Sequence, residues 1–289
     1  MIAVTKSGTR IPFCVLIPSR QRAGILAKSL KKMPFLDDAG VYFGIERNEV
    51  DDYTCLVGLT RATVLRYDNP TGSVAVAREW LRQRAAGDGK WSYAVVTDDN
   101  ATYTAESLQT MVAATAAYTA TLNKVCIMAG MHNTAAHFDR NLIEHKTTVG
   151  GYRSYPNVAM IFQCYPMSVY QRYTYPAQAY GLDDRHFFLW ALHSGIRDFR
   201  VCMDAPFNKS RYQPGGQGSI AERMTKCGHA IEVLAHDFPT YVGASGTLRI
   251  PWQFILRMVE GNVTADRLPG GSMRKEDKLI KRKLTVRRA

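Results

Sequence analysis

The sequence contains no apolar run of the roughly 18 to 20 residues that a membrane-crossing helix requires. Its N-terminus lacks the basic, then apolar, then small-residue layout of a secretory signal. A soluble, cytoplasmic protein with no membrane partner is therefore expected. Close cysteine pairs are also missing. Cys14, Cys55, Cys126, Cys164, Cys202 and Cys227 stand singly, which leaves no Cys-x-x-Cys zinc or redox motif. Several lie inside apolar runs, as Cys14 does in Phe13-Cys-Val-Leu-Ile17, so buried reduced thiols are expected. There is no internal repeat, and no composition break sharper than the one near Gly270.

Positive charge, by contrast, is in surplus. Lys and Arg number 37 against 25 Asp and Glu, a formal net charge of +12. Half of that surplus lies in the last eighteen residues, where Arg274, Lys275, Lys278, Lys281, Arg282, Lys283, Arg287 and Arg288 face only Glu276 and Asp277. Clustered Lys and Arg neutralise phosphate and release counterions, so a polyanionic partner is plausible, with Lys281, Arg282 and Lys283 as nucleic-acid contacts. A disordered, solubilising end is the alternative. The remainder, 46% apolar overall, is long enough to bury a full α/β core.

Along the chain, apolar strands alternate with helical spacing. Phe13–Ile17 reads as a buried strand that runs into Pro18-Ser19-Arg20, and Ile25, Leu26 and Leu30 fit the helix that follows. Strands are predicted at 41–45, 63–67, 91–96, 125–129, 158–164 and 199–203, and helices from about 76 to 87, over 105–122 and through 187–192. Asp204 to Gly218 reads as a polar, glycine-bearing loop. Alternation at this spacing predicts a mostly parallel, Rossmann-like sheet flanked by helices, with ligands bound beyond the carboxyl ends of its strands.

The polar groups sit at those ends. Asp98-Asp99-Asn100 follows the apolar strand Trp91–Val96, and an acidic pair there can hold a hard divalent ion, since Mg²⁺ and Mn²⁺ prefer oxygen ligands and share them with phosphates. An ordinary acidic turn is the alternative reading. Pro18, Ser19 and Arg20 leave the first strand where a base and ribose could lie, and Asn69 leaves the third toward the same side. Gly72-Ser-Val-Ala-Val-Ala-Arg78 opens a helix whose free N–H groups suit an anion, with Arg78 one turn in. Four loops aimed one way are more specific than any one of them.

This order of elements, over about residues 11 to 105, resembles the nucleotide-sugar half of GT-A glycosyltransferases. The resemblance implies that Asp99, Asp98 and Asn100 stand where an Asp-x-Asp element holds Mn²⁺ or Mg²⁺ on the donor diphosphate. Because the motif is Asp-Asp-Asn, the carboxylate that touches metal is left open. In the second half, Tyr180-Gly-Leu-Asp183-Asp184, Val201-Cys-Met-Asp204, Lys209 and Gln213-Pro-Gly215-Gly216 resemble the phage glycosyltransferases associated with TET/JBP oxygenases. That implies a UDP-type nucleotide-sugar donor and 5-hydroxymethylpyrimidine DNA as acceptor, in the host-cell cytoplasm if the chain is phage-encoded.

On this view residues 1–270 form one GT-A-like catalytic domain, with a donor half over about 1–125, a smaller acceptor half over about 126–270, and a basic tail over 271–289. Asp184, with Asp183 as alternative, matches the acceptor-side base of inverting enzymes. Lys209, Gly215 and Gly216 are expected on the leaving diphosphate. Asp204 could ligate metal or orient Lys209, and His229 could be a late metal ligand. Arg153 and Arg172, among the tyrosines of 151–180, could grip a nucleic-acid backbone. Two other functions fit the same residues: a nucleotidyltransferase, in which Asp98 and Asp99 hold metal for phosphoryl chemistry, and a non-catalytic nucleic-acid-binding protein.

Overall fold

The computed structural model describes residues 1–132, 152–154, 162–196, 198–209 and 220–239. The predicted core strand runs as β2 (Arg10–Ser19), with β1 (Ile2–Val4) paired antiparallel to its start. Helix α1 (Ala23–Lys32), β3 (Val41–Glu46), β4 (Thr63–Tyr67), α2 (Val74–Gly87) and β5 (Tyr93–Thr97) follow in the expected order. β4, β3, β2 and β5 lie side by side in that order, all parallel. The crossover from β2 leads outward to β3 and then β4 on one flank, and the connection from β4 through α2 returns across them to β5 on the other flank of β2. The gap between the carboxyl ends of β2 and β5 is a topological switch point, where open α/β sheets bind ligands.

Alternation along the strands explains why helices cover both faces. Cys14 and Leu16 of β2 join Tyr42, Ala94 and Val96 in one core, closed by Ala75, Leu81 and Ala85 of α2. Phe13, Val15 and Ile17 join Phe43, Ile45 and Val95 in a second core, closed by Leu26 of α1 and by Leu108 and Met111 of α3 (Ala105–Leu122). Side-chain caps start both long helices. The Ser73 hydroxyl accepts from the Ala75 N–H at 3.2 Å, and Thr104 accepts from the Ser107 N–H at 3.0 Å. Gly44 lets α2 lie close to β3, because a Cβ there would stand 3.1 Å from Leu81 Cδ1.

Beyond β5 the sheet becomes mixed. β9 (Phe162–Pro166) pairs antiparallel with both β5 and β7 (Cys126–His132); β10 (Asp198–Lys209) pairs parallel with β7 and antiparallel with β6 (Ala101–Tyr103) and β8 (Tyr152–Ser154). The strand predicted over 158–164 is thus found at 162–166. The loop predicted from Asp204 is also corrected, since β10 continues to Lys209. Ala205 and Phe207 are buried while Asp204, Pro206 and Asn208 face outward, a period of two that polar residues on the outer face disguise as loop. A register shift between Cys202 and Pro206 absorbs the proline.

Short helix α4 (Met167–Tyr170) leads to α5 (Asp183–His193), and α6 (Ile220–Asp237) is a helix that the sequence reading left out. Of the tyrosines that could have formed a nucleic-acid face, Tyr165, Tyr170, Tyr173 and Tyr175 are core. Tyr165 stacks on Tyr170 at 4.9 Å, and Tyr170, Tyr173 and Tyr175 pack edge-on around Phe187 and one another. All four are buried, because each ring brings apolar area to the layer between α2 and α5. His186 fastens α6 to that layer: Tyr173 Oη lies 2.8 Å from its Nδ1 and Asp237 Oδ2 lies 2.8 Å from its Nε2. Cys14, Cys126, Cys164 and Cys202 are buried free thiols, as expected, and Cys55 is half-buried. Among the described residues, no helix is long and apolar enough to cross a membrane.

Candidate active site

The switch point is closed by bonds between the loops that leave β2 and β5. Ser19 donates to Asp99 Oδ2 at 2.6 Å, and Arg22 Nη1 lies 3.1 Å from Asp99 Oδ1. Ser29 of α1 donates to the Asp99 carbonyl at 2.9 Å. Both carboxylate oxygens of Asp99 are thus engaged inside the protein, and the residue is only 3% exposed. Burial raises the Asp99 pKa above the ordinary aspartate value, with Arg22 and Ser19 opposing it. The bonding makes Asp99 the fastener of the acidic turn. Replacing it with Ala would strand the Arg22 charge, and a loss of about 3 kcal/mol of stability, at the lower end for a broken buried pair, is expected in a denaturant titration.

Asp98 is the carboxylate that faces outward. Its side chain is 19% exposed, and Oδ2 lies 2.5 Å from Lys209 Nζ while Oδ1 lies 3.2 Å from Arg78 Nη2. Burial alone would raise its pKa, but Lys209 and Arg78 together hold it below the ordinary value, so it is ionised at neutral pH. Lys209 arrives from the end of β10. The strand extension that the sequence concealed is therefore what carries this cation to the acidic turn, which is its expected place. Asp204, in the irregular part of the same strand, is exposed, and the ion pair of Lys209 is with Asp98.

Arg20 and the loop after β4 form the neighbouring wall. Arg20 Nε lies 2.6 Å from Glu46 Oε1 at the end of β3, and its Nη1 donates to the Gly72 carbonyl at 3.1 Å. Gly72 has φ +66°, and a Cβ there would come within 3.0 Å of Arg20 Nη2, so glycine serves both the turn and the guanidinium lying on it. The Asn69 amide is spent on the turn: Nδ2 donates to Glu46 and to the Ser73 carbonyl, and Oδ1 accepts from the Ser73 N–H. Pro18, in β2, carries the chain to Ser19. Tyr180, at the entry to α5, donates to the Thr71 carbonyl and holds the second half against this loop.

The two halves meet at Arg78. Its guanidinium, almost wholly buried, binds Asp98 through Nη2 and Asp183, the first residue of α5, through Nη1. Asp183 is buried, whereas its neighbour Asp184 is half-buried. Burial, reinforced by the Asp183 charge and opposed by Arg185 and Arg78, raises the Asp184 pKa to about 6. A carboxylate with that proton affinity is ionised at pH 7 and is a stronger base than a free aspartate. The helix N-terminus, where the first turn offers free N–H groups, suits both acidic residues.

Comparison with known proteins bears on this arrangement. No protein-family model and no curated protein matches the sequence. Solved structures do match. A Pyrobaculum calidifontis mannosyltransferase in complex with GDP-mannose and Mn²⁺ aligns over 98% of this chain and 82% of its own, with 12% identity and a TM-score of 0.55. The fold is that of GT-A glycosyltransferases. S. aureus TarS 1–349 in complex with UDP-GlcNAc aligns over 88% of this chain and 72% of its own (10% identity, TM-score 0.54). GalNAc-T7 with UDP, GalNAc and Mn²⁺ aligns over 86% and 54% (11% identity, TM-score 0.52). A longer TarS chain is matched over only 43% of its length.

Of the two carboxylates of the acidic turn, Asp98 is the one that a divalent ion could reach. No cluster of three or more His, Cys, Asp or Glu occurs among the described residues. An ion that arrives on a diphosphate needs only one or two protein oxygens, and the half-buried Asp98, paired with Lys209, could supply one. His229 lies on the exposed side of α6, 3.2 Å from Glu232, and Arg172 is exposed after α4. Gly215, Gly216, Lys281, Arg282 and Lys283 lie outside the described residues, as does the side chain of Arg153 in β8. Arg22 and Glu46 are the site residues that sequence reasoning missed. The Pro-x-Arg pattern drew attention to Arg20, while Arg22 is turned toward Asp99 by the left-handed backbone of Gln21, φ +54°, which no spacing rule reveals.

Proposed function

We propose that the protein transfers a sugar from a UDP-type nucleotide donor to a hydroxyl acceptor, with Asp184 as the base. The observation that carries this reading is the shared guanidinium of Arg78, which joins the acidic turn at the switch point to the first turn of α5. It makes one site from Asp98, Lys209 and Asp184, which are far apart in sequence. The donor's base and ribose lie along Ser19, Arg20 and the Gly72 loop, and its diphosphate lies at Asp98. A divalent ion bound there neutralises charge on the departing diphosphate. Lys209, released from Asp98 as the ion or the diphosphate arrives, stabilises the same charge. Asp184 accepts the acceptor's hydroxyl proton as the oxygen bonds to the anomeric carbon and the bond to the diphosphate breaks, leaving a nucleoside diphosphate.

The favoured acceptor is 5-hydroxymethylpyrimidine in DNA. It is supported by the net charge of +12, by the basic cluster over 272–289, and by the resemblance carried by Tyr180 to Asp184 and Val201 to Lys209. The buried tyrosines contribute nothing to it. Residues 1–270 would then form the catalytic domain, and 271–289 a DNA-steering tail.

Two outcomes test the reading. Transfer should rise with pH through about 6 and level off above, since only ionised Asp184 accepts a proton; a flat profile from pH 5 to 8 would remove it as base. Excess chelator should abolish transfer and Mn²⁺ should restore it. Full activity in chelator would remove the metal and leave Lys209 to stabilise the departing diphosphate. Release of pyrophosphate would instead identify a nucleotidyltransferase.

A further inference from the structure

We infer that Arg78 is a positioning residue, a buried strut that fixes the start of α5 against the acidic turn and thereby sets Asp184 in place, rather than a ligand of the donor. The inference rests on the reading of Asp184 as base. Arg78 projects from α2, whose Ala75, Leu81 and Ala85 are packed onto the sheet, so the strut stands on a rigid base. Its terminal nitrogens go to two carboxylates, Asp98 after β5 and Asp183 at the start of α5. The side chain is 7% exposed and its two terminal nitrogens are engaged by protein carboxylates, which leaves little of the guanidinium for a diphosphate to reach.

The choice of residue type is explained by this geometry. A planar fork can face two carboxylates from different elements at once, whereas a Lys ammonium is a single point charge. Asp183, 3% exposed at its side chain, is the group the strut grips; Asp184 is the adjacent one left half-buried on the same first turn. Without the guanidinium, the half-buried Asp98 and the buried Asp183 would lose the cation between them, with Lys209 reaching only the other oxygen of Asp98. The start of α5 would then separate from the acidic turn, and Asp184 with it.

Arg78→Met and Arg78→Lys separate the roles. For Arg78→Met, kcat should fall about 100-fold or more while UDP affinity, measured by calorimetry, changes less than about threefold; Arg78→Lys should recover about tenfold of the lost kcat. UDP affinity falling in step with kcat would make Arg78 a donor ligand and overturn the inference. So would a kcat within about threefold of the wild-type value. Should Arg78→Met not fold, Asp183→Asn cuts the strut from the other end and is read by hydrogen exchange of the first turn of α5, where faster exchange supports the strut and unchanged exchange overturns it. If the wild-type protein turns over no nucleotide sugar, the proposed function fails by itself. Hydrogen exchange of the first turn of α5 then still decides the strut: faster exchange in Arg78→Met supports it, and unchanged exchange overturns it.

Discussion

Asp184→Asn is expected to lower kcat for sugar transfer by about 10²- to 10⁴-fold, the range that a positioned general base contributes. Asn keeps the size of the side chain and can still accept a hydrogen bond, but it cannot take a proton at neutral pH. The fold should be kept, because the strut to α2 uses Asp183, and Asp184 accepts a local bond from the Arg185 N–H at 2.8 Å. Donor affinity should therefore stay near the wild-type value, and the thermal midpoint should not fall. The acidic limb of the pH profile should vanish with the activity. Retention of kcat within about threefold would exclude Asp184 and turn attention to its neighbour.

Asp98→Ala is expected to cost at least about 10² in kcat/KM, with most of the loss appearing as weaker donor binding. Asp98 is the exposed carboxylate of the acidic turn and the partner of both Lys209 and Arg78. Removing it takes away the oxygen proposed for a donor-bound ion and leaves Lys209 without its ion-pair partner, while Arg78 keeps Asp183. The comparison with Asp99→Ala is informative because the two neighbours should fail differently. Asp98→Ala should remain folded and lose donor affinity, whereas Asp99→Ala should lose stability, since Asp99 fastens Ser19, Arg22 and Ser29. Equal stability losses in both would contradict the division of roles between the two carboxylates.

The parallel half of the sheet was legible because its strands are continuous apolar runs and its helices begin at strong turn signals. Thr63–Tyr67 and Ala105–Leu122 fall where spacing alone places them. The second half was less legible for a physical reason. In β10, Asp204, Pro206 and Asn208 occupy outward positions of an edge region, so the strand reads as a loop although Ala205 and Phe207 are core. The tyrosines misled in the opposite sense: a cluster that looks like a binding face is a stacked core, because each hydroxyl can be satisfied locally, as Tyr170 and Tyr175 are by each other at 3.1 Å.

Within the site, the acidic turn was legible as Asp98-Asp99-Asn100 after an apolar strand, and the structure brings Lys209 to Asp98. Spacing could not rank the two carboxylates. Which one is buried depends on Ser19, Arg22 and Ser29 reaching back from an element some seventy residues or more upstream, and that is tertiary information. Arg78 shows the same limit. The helix-start motif suggested an anion-binding arginine, and its place on α2 presents it to Asp98 and Asp183 of the protein itself.

The most direct test of sugar transfer is a mass measurement on the acceptor. The protein would be incubated with Mn²⁺, a panel of nucleotide sugars including UDP-glucose and UDP-GlcNAc, and duplex DNA that either contains or lacks 5-hydroxymethylpyrimidines. The DNA is then digested and its nucleosides weighed. The expected result is one new nucleoside, heavier by a single sugar residue, formed only from the hydroxymethylated DNA and accompanied by a free nucleoside diphosphate. Pyrophosphate release with no sugar-bearing product, or DNA binding with none of the nucleotide sugars consumed, would contradict it.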